Sequence, residues 1–327
     1  MKILSIEIWR ISLGKKEKGD FLTRRLEVFN ISKQFEGIIP PMLTPFDEDE
    51  EIDEEKLRDL VNLLIDGGVH ALYPCGSIGE FSNMTAEEMK RVDGIVIDEA
   101  DGEVPVLPGT GASGTKEAIK RTKQAEEIGA DAVINVTPYY LDTPQEGLLE
   151  HFGRIAESAD LPVLLYHIPQ CTGQEFSPDT VAKLDKKYDN IVGLKDSSGD
   201  FSRIGKILRK TSDDFMFFQG QPDLLLPTLF MGGDGGVAGT ANIHPESCVS
   251  VYEKFQDGDI EEAREIQLKT IDPLTEACSI GPFPANYKNA SKLAGLDLGP
   301  ARCPIRSLTE KEKQKQSRAL KDLDLMS

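Results

Sequence analysis

The chain has 327 residues, 39% apolar and 28% charged, which suits one barrel of roughly 250 residues with additions or two smaller domains. Its 56 Asp and Glu against 37 Lys and Arg give a net charge of -19, a balance that repels nucleic acid. No window approaches ~20 consecutive apolar residues, which excludes a membrane-spanning helix.

Residues 1–36 carry eight basic and five acidic side chains, a net of +3, and hold Trp9, the only tryptophan. Their apolar run Ile8-Trp9-Arg10-Ile11 is interrupted by a charge, so it does not read as a secretory signal. We expect an N-terminal extension of unknown role. From Gly37 the pattern becomes regular. Strand-like runs stand at Gly37–Leu43, Val69–Tyr73, Val104–Leu107, Ala132–Val136, Val163–Tyr166, Ile191–Leu194, Phe215–Phe218 and Gly235–Ala238.

Between them, apolar residues at three- and four-residue spacing predict helices over Glu54–Asp66, Ala86–Ala100, Lys116–Ile128, Gln145–Ser158, Pro178–Lys187 and Phe201–Lys210. Asp53, Thr85, Ser113 and Ser177 are the expected helix starts, and Gly67 and Gly129 the expected stops. Eight strand–helix units predict an α/β fold, a (β/α)8 TIM barrel over 37–243. A doubly wound sheet is the alternative, but no G-x-G-x-x-G follows the first strand. Residues 244–327 are expected to supply the last barrel helix and a C-terminal helical extension over Asp259–Ala277, Ala285–Ala294 and Leu308–Asp322.

Cysteines 75, 171, 248, 278 and 303 are odd in number and form no C-x-x-C pair. Histidines 70, 151, 167 and 244 form no H-E-x-x-H. These patterns predict a reduced, cytoplasmic protein without metal. The acidic excess is consistent with work at high salt, where self-repulsion is screened.

In a barrel, chemistry sits at the C-terminal ends of the strands. The sixth strand, Ile191-Val192-Gly193-Leu194, ends on Lys195 and a polar Asp-Ser-Ser-Gly-Asp turn. A lysine there is either solvated or partly desolvated, and desolvation would free its amine as a nucleophile. The second strand runs into Gly76-Ser77-Ile78-Gly79-Glu80, whose backbone N–H groups can form an anion nest or an ordinary turn. The fourth ends in Thr137-Pro138-Tyr139-Tyr140 and the fifth in Tyr166-His167-Ile168-Pro169. Taken singly, each tyrosine reads first as a core residue.

In this order GSIGE, GTGA (Gly109 to Ala112), TPYY, YHIP and GLKDSSGD resemble the dihydrodipicolinate synthase / N-acetylneuraminate lyase family of class I aldolases and lyases, from about Gly37 into the C-terminal helices. The resemblance implies that Lys195 forms a Schiff base with pyruvate or a similar 2-oxo acid, with no other cofactor. It implies that Tyr166 shuttles protons, that Ser77 relays them, and that Tyr140 completes the relay, often across a dimer interface. Gly76, Ser77, Ile78, Gly79, His167, Cys171 and Val237 are the expected substrate-binding residues, and a homotetramer built from two dimers is the expected assembly.

Two positions depart from the family pattern. Ile78 stands where a second hydroxyl residue is common, and Cys171 where true dihydrodipicolinate synthases place an arginine to grip the second substrate's carboxylate. We therefore expect a pyruvate-dependent aldolase that cleaves a 2-keto-3-deoxygluconate-type sugar acid to pyruvate and an aldehyde. The alternatives are dihydrodipicolinate synthase (pyruvate plus aspartate semialdehyde), a sugar-acid dehydratase using the same imine, and a barrel that only binds a keto acid.

Overall fold

The computed structural model describes residues 35–325, so the expected N-terminal extension lies outside the described residues apart from Phe35 and Glu36. Six parallel strands, β1 (Gly37–Ile38), β2 (Val133–Val136), β3 (Val163–His167), β4 (Ile191–Asp196), β5 (Met216–Gln219) and β6 (Gly235–Gly236), pair in the order β1-β6-β5-β4-β3-β2. The expected second and third strands appear as single parallel bridges, Pro41 to Tyr73, Leu72 to Val106 and Gly109 to Ile134. These bridges lead from the end of β1 back to β2 and close a ring of eight staves. Prolines 40, 41, 74, 105 and 108 explain the thinness of this side, because each removes a ladder donor. The fold is a TIM barrel carrying C-terminal helices.

Helices Glu54–Asp66, Ala86–Ala100 and Pro178–Lys187 have the expected bounds. Thr85 and Glu88 close a capping box, and Asp53 and Ser177 accept from the backbone N–H groups of Lys56 and Thr180. At the helix Thr115–Glu127 the cap is Gly114, without a side-chain bond, and not Ser113. The segment expected as one helix over Asp259–Ala277 is broken into Ile260–Ile266, a π-turn Gln267–Ile271 and Asp272–Cys278. Pro273 has no N–H to continue the ladder there, and Gln267 uses the opening to bond Leu226 N and the Pro222 carbonyl oxygen.

The core has two shells. Ile134, Val136, Leu164, Tyr166 and Phe218 fill the barrel interior, while Val133, Leu165, Leu194 and Phe217 face the surrounding helices. This alternation is the period-two pleat of a strand buried on both faces. Each fully buried Leu or Phe contributes about 1.5–3 kcal/mol. A third cluster, Ile243, Leu274, Ala277, Cys278, Ala290 and Leu320, joins the C-terminal helices.

Candidate active site

Pairing places Val136, Tyr166, Lys195 and Phe218 on successive strands at one level, so their side chains share the inner face. Lys195 is 3% exposed, and its Nζ lies 4.0 Å from the Tyr166 ring centroid. Burial pushes the Lys195 ammonium down to about 7, which leaves a large fraction of free amine at neutral pH. Burial likewise pushes Tyr166 up to about 12, against hydrogen bonds from Ser197 and Ser77 that lower it. The Ser197 hydroxyl stands 3.5 Å from the Tyr166 hydroxyl. Tyr166 is therefore a protonated phenol that sits beside the amine and touches two further hydroxyls.

The turn after the second stave is tied down on several sides. Glu80 N donates to the Ser77 carbonyl oxygen, Phe81 N donates to that of Gly76, and the Thr44 hydroxyl donates to that of Gly79 at 2.7 Å. The Ile78 side chain is buried, and a Cβ on Gly239 would meet its Cδ1 at 3.1 Å. Val237 is buried in the segment after β6, with its N–H donated to the Gln219 carbonyl oxygen at 2.7 Å.

His167 turns the other way. It follows Tyr166 in β3, so its ring projects towards the helices, where Nδ1 meets Asp196 Oδ2 at 3.2 Å. Arg203 Nε donates to the same Asp196 oxygen at 3.1 Å. Burial alone would raise Asp196, but hydrogen bonds from His167 and Ser198 hold it at about 2. The expectation that His167 reaches substrate thus meets strand parity, and the ring is taken up by a buried polar network behind Lys195. Strand parity read on Tyr166-His167 was the signal for this placement.

Cys171 lies in the one-turn helix Pro169–Thr172 that follows β3. Burial raises its thiol, and the charge of Lys195 acts to lower it, so the two side chains sense one another. Tyr140 is not brought to Lys195 within one chain: it is 93% exposed with φ +80°, beside exposed Leu141. Two neighbours of the lysine, Tyr73 and Ser197, were not among the expected site residues; each stands at or just beyond a strand end, which was the signal available. Among the described residues no group of three or more His, Cys, Asp and Glu could hold a metal ion, and no helix is long and apolar enough to cross a membrane.

Comparison with known proteins agrees with this geometry. A family model described as the dihydrodipicolinate synthetase family matches residues 34–323. The chain is 42% identical over 294 residues to 4-hydroxy-tetrahydrodipicolinate synthase of Methanopyrus kandleri, covering 90% of this chain and 98% of that relative. It is 39% identical over 290 residues to an uncharacterized DapA-like lyase of Halobacterium salinarum, covering 89% and 94%. It also resembles the crystal structure of YagE, a prophage protein of the dihydrodipicolinic acid synthase family from E. coli K12 in complex with pyruvate. That match has a TM-score of 0.86 at 32% identity and covers 89% of this chain and 99% of that one. A closed eight-stave barrel with a buried lysine at a strand end, matched over nearly all its described length, makes this chain a member of the dihydrodipicolinate synthetase family of lyases.

Proposed function

We propose that the chain joins pyruvate to an aldehyde, or cleaves the resulting 2-oxo acid, through an imine on Lys195. One observation carries this reading: a lysine buried at a strand end, its ammonium pushed to about 7, in contact with a protonated tyrosine. The neutral amine attacks the keto carbon and the carbinolamine loses water, leaving an iminium. That cation is an electron sink, so the adjacent methyl group gives up a proton and becomes a nucleophilic enamine carbon. Tyr166 is placed to give a proton to the departing oxygen and to take one back, with Ser77 and Ser197 as its hydroxyl contacts. The backbone of Gly76, Ser77, Ile78 and Gly79 orients the acid group. Tyr140 of a second copy completes the relay, within a tetramer built from dimers.

For the aldehyde, condensation with aspartate semialdehyde is the first reading, because relatives matched over their full length are synthases of 4-hydroxy-tetrahydrodipicolinate. One observation favours a second reading, cleavage of a 2-keto-3-deoxygluconate-type acid. Cys171, which senses Lys195, supplies no cation for a second carboxylate.

Borohydride reduction with pyruvate, at low and high salt, tests the imine. A reduced adduct mapped to Lys195 and absent from Lys195→Ala is expected; no adduct on folded protein sinks the reading. Turnover of the two substrate pairs then decides the aldehyde. A higher kcat/KM for aspartate semialdehyde than for the sugar acid supports the synthase, and the reverse order replaces it with the aldolase.

A further inference from the structure

A second buried tyrosine shares the chamber with Lys195. Tyr73, at the end of the second stave, is 2% exposed, and its ring centroid lies 5.0 Å from Lys195 Nζ. It meets the Tyr166 ring edge-on, with centroids 6.5 Å apart and planes at 85°. Two glycines let backbone close onto this phenol. A Cβ on Gly76 would stand 2.9 Å from Tyr73 Cζ and 3.2 Å from its hydroxyl oxygen, and a Cβ on Gly109 3.1 Å from Cε2. The phenol therefore lies against the start of the Gly76-Ser77-Ile78-Gly79 turn. Tyr73 makes no hydrogen bond through its hydroxyl among the described residues. That oxygen is not one of the fully buried orphan polar atoms, so it borders open space in the chamber although the residue is only 2% exposed.

A buried carboxylate without donors is costly, and a hydroxyl with no protein partner in the same chamber can offset that cost. A 2-oxo acid joined to Lys195 carries its carboxylate on the carbon next to the imine. The ring centroid lies 5.0 Å from Nζ, a separation comparable to the span of that group plus one hydrogen bond of about 2.7 Å. The turn supplies backbone N–H groups, but Ile78 adds no hydroxyl of its own. Burial pushes the Tyr73 phenol well above its ordinary value, so it stays protonated and can only serve an anion as donor.

We propose that Tyr73 is a substrate-binding residue whose hydroxyl donates to the carboxylate of the 2-oxo acid held on Lys195. This assignment rests on the Lys195 imine of the preceding section. Tyr73→Phe removes one oxygen and keeps the ring beside Lys195 and Tyr166. In that variant, borohydride trapping by pyruvate half-saturates at about tenfold higher concentration or more, as loss of a hydrogen bond to a charged group requires. The saturated rate stays within about threefold of wild type, the mark of a ground-state contact. Methyl pyruvate, which lacks the charge, traps both proteins at similar concentrations. Tyr73→Leu is the second variant, with the same loss of pyruvate affinity and, because the ring is gone, a slower saturated rate. An unchanged pyruvate half-saturation in a variant that still forms the adduct overturns the role of Tyr73 and leaves the imine standing. Failure of the wild type to trap pyruvate overturns both.

Discussion

Glu80 and Lys288 form an ion pair of 2.9 Å in which both side chains are buried. Glu80 closes the turn after the second stave, and Lys288 belongs to the C-terminal helix Ala285–Leu293. Lys288 also donates to the Pro300 carbonyl oxygen at 2.7 Å, and Arg302 N donates to Glu80 Oε2 at 2.9 Å. The C-terminal helices are thereby bolted to the loop that faces Lys195. Lys288→Met leaves the Glu80 carboxylate buried without its cation and costs about 3–5 kcal/mol of stability. Glu80→Gln added to Lys288→Met recovers part of the loss. Denaturant unfolding of the two variants checks this, and equal destabilisation would count against the pair.

Lys195 ties activity and stability to pH in the same sense, both rising as pH climbs. The rate of pyruvate trapping is expected to rise with pH through about 7, as the ammonium becomes the free amine. The folded value lies below the ordinary 10.5, so between about 7 and 10.5 the unfolded chain holds a proton that the folded chain has released. Wild-type stability relative to Lys195→Met therefore increases as pH climbs through that window. The gain from Lys195→Met, on the order of a few kcal/mol, is full below about 7 and fades towards 10.5. Unfolding of both proteins across this range reads the difference; a gain independent of pH contradicts it.

His167 is buried against Asp196 behind the lysine, so it is expected to support the fold rather than the substrate. His167→Leu strips Asp196 of a buried hydrogen bond and is expected to cost about 1–3 kcal/mol, with KM for pyruvate nearly unchanged. The carboxylate of Asp196, held at about 2, stabilises the wild type above its unfolded value near 3.8. That contribution is lost as pH falls through about 2 and is smaller throughout in the variant. A large rise in KM with unchanged melting would return His167 to the substrate.

Tyr140 combines a left-handed backbone with nearly full exposure, an arrangement that costs about 1–3 kcal/mol and calls for a compensating contact. If a second copy supplies that contact, Tyr140→Phe lowers kcat by about 10²-fold or more while leaving the melting temperature unchanged. Sedimentation alongside kinetics checks the point, and full activity of the variant removes Tyr140 from the relay.

The order of strands and helices was legible in the sequence because each element carries its own periodicity, and several helices begin on residues whose side chains cap them locally. Lys195 and Tyr166 were legible for a related reason: both end apolar runs of strand length, and strand ends converge on one mouth of a barrel. His167 was within reach of the same logic, since alternation alone turns it away from Tyr166. Contacts between residues distant in the chain were not legible. The meeting of Tyr73 with Lys195, 122 positions on, and of Glu80 with Lys288 depends on ring closure and on where the C-terminal helices dock. The prolines that thin the second and third staves to single bridges were visible, but only the closed ring determines which pairings survive them. Local periodicity thus sets the elements and marks the lysine, whereas the depth that shifts Lys195 and the tyrosine that lies against it are properties of the assembled barrel, because desolvation comes from neighbours that only folding brings near.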